Sequence, residues 1–323
     1  MPSTDILPPR AKIALLICDP TKAEFITAYG NITTLFTALY TNLLARPTTG
    51  LVELTSDSKS THIESILPGV QMPFDIEEFS AIDGHLPADI DAYTSVIVSG
   101  SACGVNDKEP WIQKLKKFLR DTATLHPKVK LMGICFGHQI ISRAVFDLPV
   151  KANPEGWEIG PYKIDLNETG KVLFLGKESL MIEMFHHDAA ERDAMSDASR
   201  TSKPDTKPAV TPLKASRSII WGSTEKTKNQ GIVCLTGDTL NSVDDIHIFT
   251  SQGHPEVTKE MAATLVDLFE QDIDKNAVKE ARKLIAAFEG DLDQDYIALL
   301  MWALSTGQSY VFPTASSLKT SSS

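Results

Sequence analysis

The chain is poor in cysteine, lacks an excess of basic residues and has no long apolar run. Its 323 residues hold four cysteines, Cys18, Cys103, Cys135 and Cys234. No two stand in C-x-x-C spacing, which argues against a zinc ribbon or dithiol redox centre, and four are too few for a disulfide scaffold. Such usage fits a reducing compartment, so a cytoplasmic location is expected. No apolar stretch could span a bilayer, and the opening "MPSTDILPPR" has prolines where a signal peptide needs an apolar run. Lys and Arg number 31 against 42 Asp and Glu, a net charge of −11. That surface repels nucleic acid and anionic membranes, so neither is expected as a partner. "GSACGVND" has too few glycines for a dinucleotide or phosphate loop. The adjacent His186 and His187 beside Asp188 lack the spacing of a metal site. No cofactor and no metal are expected.

What the chain does have is alternation. "AKIALLIC" (11–18) is a continuous apolar run, the pattern of a strand buried on both faces. A helical pattern over about 21–46 follows. A second strand region lies in "VQMPFDIEEFS", a third in "TSVIVSG" (94–100), and "PWIQKLKKFLRD" (110–121) opens a helix with proline. "KLMGI" predicts another buried strand and "HQIISRAVF" another helix. This order predicts a mostly parallel sheet covered by helices. Shorter strand-like segments come next: "GPYKIDLN", "SRSIIWGS", "GIVCLTG" and "DIHIFTS". A helical pattern follows in "EVTKEMAATLVDLFEQDI". Residues 192–217, rich in Ser, Thr, Lys, Pro and Asp, read as a flexible polar surface insertion. Beyond residue 272, "NAVKEARKLIAAFEG" predicts an amphipathic helix capped by Gly290 and "DQDYIALLMWALSTG" a more apolar one. The serine-rich tail is expected to be disordered.

One short stretch carries chemistry. Gly133-Ile134-Cys135-Phe136-Gly137 lies between an apolar strand and a helical pattern, the context of a nucleophile elbow. Flanking glycines would relieve crowding at a strained, exposed central residue, and the following helix would aim its N-terminus at the sulfur, favouring thiolate. The five residues alone also fit a buried structural cysteine. A thiol nucleophile needs a base. "IHIFTSQGHPE" (246–256) ends a strand-like run with His254 and Glu256 two apart, so that the carboxylate could orient the imidazole. Cys18, Cys103 and Cys234 read as core or near-core cysteines.

"GICFGHQ" and "SQGHPE", in this order, resemble the class I glutamine amidotransferase domain, the triad-type glutaminase, in standalone fungal or plant form. "VSGSACGVND" resembles that family's oxyanion loop, "PWIQKLKKFL" the helix after it and "GWEIGPYKI" a hairpin of the standalone members. The resemblance covers roughly residues 11–272, with 192–217 as an interruption. It implies a flavodoxin-like α/β three-layer sandwich, with 273–323 as a C-terminal helical extension and tail. It implies Cys135 as nucleophile, His254 as proton carrier and Glu256 as its orienter. The oxyanion would sit on backbone N–H groups of Phe136 and of Gly100 or Ser101. Gln139, with His187 and Asp188 in "FHHDAA", would bind the substrate. Many members have Gly-Gly-Pro where this chain has Gly100-Ser101-Ala102.

The resemblance implies cleavage of a γ-glutamyl amide and leaves the acceptor open. A standalone hydrolase of glutamine, a γ-glutamyl peptide or a glutathione conjugate, with a role in specialised metabolism, is preferred. A glutaminase subunit passing ammonia to a synthetase partner is the alternative, and a non-catalytic scaffold a third. A homodimer through the C-terminal helices also stays open.

Overall fold

The computed structural model describes residues 10–45, 74–191, 218–308 and 310–312. The polar insertion 192–217, the start of the second strand region before residue 74 and the serine-rich tail lie outside the described residues. In chain order the first half runs β1 (Ala11–Ile17), α1 (Ala23–Tyr29), α2 (Ile32–Ala45), β2 (Phe74–Ser80), β3 (Ser95–Val98), α3 (Pro110–Leu125), β4 (Lys130–Ile134) and α4 (Phe136–Phe146). Then come β5 (Val150–Ala152), β6 (Glu158–Leu166), α5 (Glu168–Leu173), β7 (Ser179–His186) and β8 (Asp188–Ala190). The last part holds β9 (Ser218–Ile220), β10 (Gly222–Ser223), β11 (Ile232–Leu235), β12 (Ile246–Ser251), α6 (Lys259–Phe269), α7 (Lys275–Ala287) and α8 (Gln294–Thr306).

The main sheet has the order β2-β1-β3-β4-β12-β11-β9, and its first five strands are parallel. Only β11 and β9 run antiparallel to their neighbours. This is the mostly parallel sheet that the alternation predicts. Its strands are apolar on both faces because both faces are covered. In β1, Ile13 and Leu15 enter one core while Ala14 and Leu16 enter the other. Helices α3 and α4 pack on the second face; α2 and α8 close the first. Every residue of α8 from Asp295 to Thr306 is buried, which explains its near-absence of a polar face. A three-stranded antiparallel sheet, β10-β6-β7, stands beside the main one and packs against α6 and α7. Among the described residues no helix is long and apolar enough to cross a membrane.

Several local readings are corrected. The single helix over 21–46 is two, broken at Gly30, whose φ of +88° takes it out of the helix. Asn31 then caps α2 through its side-chain oxygen, which accepts the Thr34 N–H at 2.9 Å. "SRSIIWGS" serves two sheets, turning at the fully buried Trp221. The "FHHDAA" loop is the end of β7 and all of β8. Gly290 caps nothing, because α7 ends at Ala287 with Phe288 extended.

Candidate active site

Three neighbouring strands, β3, β4 and β12, carry the expected functional residues just past their C-terminal ends, where parallel α/β sheets place their ligand sites. Cys135 joins β4 to α4 with φ +52° and ψ −107°, a backbone conformation costly for a residue with a Cβ. The turn is tight enough to demand both flanking glycines. A Cβ on Gly133 would lie 2.5 Å from the Gly137 carbonyl, and one on Gly137 only 2.2 Å from the Val98 oxygen. The Cys135 N–H is held by the Ser251 carbonyl of β12 at 2.9 Å, and its Sγ faces the Phe185 carbonyl at 3.7 Å. The residue is 7% exposed and opens on a cavity of about 370 Å³.

His254 follows β12. Its Nδ1 lies 2.8 Å from Glu256 Oε1, its other side meets the Cys135 side chain, and its backbone N–H donates to the Glu183 carbonyl of β7 at 2.9 Å. Burial alone would push the imidazolium down. The Glu256 carboxylate, then Cys135, outweigh it and hold His254 well above its ordinary range. Gly100 stands against both partners: a Cβ there would be 3.1 Å from His254 Cε1 and 3.7 Å from Cys135 Cβ. The backbone N–H groups of Gly100, Ser101 and Phe136 find no acceptor among the described residues. They are therefore available to a developing oxyanion. The next N–H along, that of Ala102, is committed to Asp19 Oδ2 at 2.8 Å.

The expected substrate contacts are partly spent on each other. Gln139 gives its amide hydrogens to the Asp188 carbonyl at 2.9 Å and to Gln252 Oε1 at 3.1 Å, leaving its own oxygen as the free group. His187 stacks on Trp157, with ring centroids 5.0 Å apart. The Asp188 carbonyl also faces His186 Nδ1 at 3.0 Å. On its other side the buried His186 Nε2 sits 3.0 Å from Glu158 Oε2, in close contact but without an aligned hydrogen bond. Burial pushes the Glu158 carboxyl up, but His186, Thr224 and Thr227 more than offset it and leave it below the usual range. His186 and Glu158 thus brace the strand that presents His187 and Asp188. His138 is internal: it bonds Thr250, and burial, aided by His186, pushes its pKa down to about 3. Cys18 and Cys234 are buried, while Cys103 reaches the cavity wall. Among the described residues no group of three or more His, Cys, Asp or Glu is disposed to hold a metal ion.

Sequence reasoning missed three residues near the site. Asp19 follows β1 and anchors the oxyanion loop; a carboxylate at a strand's C-terminal end was its available signal. Trp157 lies in the quoted hairpin but without a role. Glu183 sits on β7 with both carboxylate oxygens buried and without a partner. No short motif marks it.

Comparison with known proteins places this geometry. No protein-family model matches the chain. It is 28% identical over 211 residues to a glutamine amidotransferase-like protein of Schizosaccharomyces pombe, covering 64% of this chain and 69% of that one. It is 28% identical over 221 residues to γ-glutamyl peptidase 2 of Arabidopsis thaliana, covering 66% and 75%. A glutamine amidotransferase from Thermotoga maritima superposes over 93% of this chain and 98% of its own, with a TM-score of 0.54 at 16% identity. One from Methylobacillus flagellatus covers 95% and 97%, with a TM-score of 0.53 at 16% identity. The chain carries the fold of the class I glutamine amidotransferases, and in sequence it is similar to glutamine amidotransferase-like proteins and γ-glutamyl peptidases.

Proposed function

We propose that the chain hydrolyses a γ-glutamyl amide bond through a γ-glutamyl thioester on Cys135. The observation that carries this reading is the junction of a strained cysteine, a glutamate-paired imidazole and unclaimed backbone N–H groups at one cavity. The names of the S. pombe and A. thaliana relatives agree with it. The Cys135 thiol gives its proton to His254 and the sulfur adds to the γ-carbonyl carbon, whose oxygen takes up negative charge facing Phe136 N–H and the Gly100–Ser101 turn. Loss of one such donor typically costs about 10²–10³ in rate. The C–N bond then breaks as His254 gives its proton to the departing amine. Water, deprotonated by His254, adds to the thioester carbon. Collapse releases glutamate and returns the thiol. Glu256 keeps the ring oriented with its Nε2 towards the sulfur.

The test is glutamate release by the full chain from glutamine, glutathione and a glutathione S-conjugate, with trapping of the thioester by mass spectrometry. Cys135→Ala abolishes all release. Absence of release from every substrate, with a thiol inert to alkylating agents, overturns the reading in favour of a scaffold. Release from glutamine alone, raised by a co-purifying protein, narrows it to a glutaminase subunit with a synthetase partner.

A further inference from the structure

The cavity is larger than the thiol and a glutamyl group require. From Cys135 it runs on between two helical walls, one carrying Phe25, Ile32 and Leu35 of α1 and α2, the other Leu265, Phe269 and Ile273 of α6 and the turn after it. At about 370 Å³ it falls within the range of about 300–1,000 Å³ that takes a whole organic ligand. Departing ammonia would occupy no more than the roughly 30 Å³ of a water molecule. The walls are continuous with the reacting centre. The Phe185 carbonyl faces the Cys135 sulfur, and the Phe185 ring meets the Phe269 ring edge to face at 6.0 Å.

The proton for the leaving nitrogen comes from His254, and the chain from His254 leads through Glu256 and the buried Val257 into α6. Val257 and Leu265 line the same cavity as His254, so it has room for whatever is bonded to that nitrogen. The charge of the wall is one-sided. Asp19, Asp188, Glu256 and Asp272 line it, while Lys22 is the single lysine or arginine among the described lining residues. Lys22 is already engaged: its ammonium donates to the Leu268 carbonyl and lies over the Phe269 ring at 4.0 Å. The His254 charge is taken by Glu256. With Glu256 and His254 cancelling each other, Asp19, Asp188 and Asp272 still outnumber Lys22, so a leaving group with its own carboxylate would meet an excess of like charge in a low-dielectric cleft.

Building on the hydrolase reading, we propose that the preferred substrates are γ-glutamyl amides of neutral-bodied apolar amines, whose aryl or alkyl group fills the wing formed by α1, α2 and α6. Free glutamine leaves that wing empty, and a γ-glutamyl peptide puts an α-carboxylate beside its acidic wall.

Three substrates separate the two readings in the full-length protein: glutamine, γ-glutamyl-phenethylamide, and γ-glutamyl-phenylalanine, which has the same ring plus a carboxylate. The expected kcat/KM for the phenethylamide is at least tenfold above both others. Phe269→Ala should lower the phenethylamide-to-glutamine ratio tenfold. Equal or better turnover of glutamine or of γ-glutamyl-phenylalanine overturns the wing assignment and leaves the hydrolase standing. Calorimetry with the Cys135→Ala protein reads the wing without turnover: the phenethylamide should bind at least tenfold tighter than glutamine, and Phe269→Ala should erase the difference. Equal affinities sink the proposal whatever the activity, whereas no glutamate from any of the three sinks the hydrolase reading itself.

Discussion

Glu183 offers a stability test whose sign can be worked out beforehand. Its carboxyl is 1% exposed, neither oxygen has a partner, and its backbone carbonyl holds the His254 N–H. Burial raises its pKa from 4.5 to about 7, against the opposing pull of His254 and Lys259. Below pH 4.5 the group is protonated in folded and unfolded chains alike and contributes no difference. Between 4.5 and about 7 the unfolded chain gives up the proton first, so stability falls as pH rises, and above that range it levels off. At about 1.4 kcal/mol per pH unit, the charged form costs the fold about 3 kcal/mol at pH 8. Glu183→Gln keeps the shape and removes the charge. Denaturant unfolding at pH 5 to 8 should find the variant little changed at pH 5 and more stable than the parent at pH 8, by up to about 3 kcal/mol. A variant whose deficit grew towards pH 8 would refute the reasoning. It would mean that the ionised carboxylate is a useful partner for His254 and Lys259 rather than a stranded charge.

Two further outcomes follow from the site. Glu256→Gln removes the main influence holding the His254 imidazolium up, so burial should make it deprotonate at lower pH. Ring NMR titration reads that shift, and glutamate release should drop on the order of 10²–10⁴-fold. Gly137→Ala drives a Cβ to 2.2 Å from the Val98 oxygen, which should destabilise by about 1–3 kcal/mol or more. An unchanged unfolding midpoint would show that the elbow is looser than its packing implies.

Much of the sheet was readable because its strands are buried on both faces and so are apolar without interruption. β1, β3 and β4 all stand out in this way. The elbow was readable because its two glycines flank the cysteine between an apolar strand and a helical pattern, although the contact that forces Gly137, with the Val98 oxygen of β3, is distant in sequence. Readability failed where a side chain's role is set by distant partners. Asp19 matters through Ala102, His186 through Glu158, and Glu183 through a sheet whose pairing no local pattern announces. The end of β7 and all of β8 hid within "FHHDAA", whose adjacent histidines and aspartate give no strand pattern. The break at Gly30 was missed for the opposite reason: apolar spacing carries on across it.

The wholly buried α8 makes the far end of the chain a structural keystone. Its Ile297, Leu300, Met301 and Trp302 share a core with Ile13, Ile97 and Met132 of the central strands. A polypeptide stopped short of Gln294 would keep every reacting group yet bare to water the part of the sheet face that α8 covers beside α2. Early termination there should be met by the cell as misfolding and clearance, not as an enzyme trimmed of an ornament.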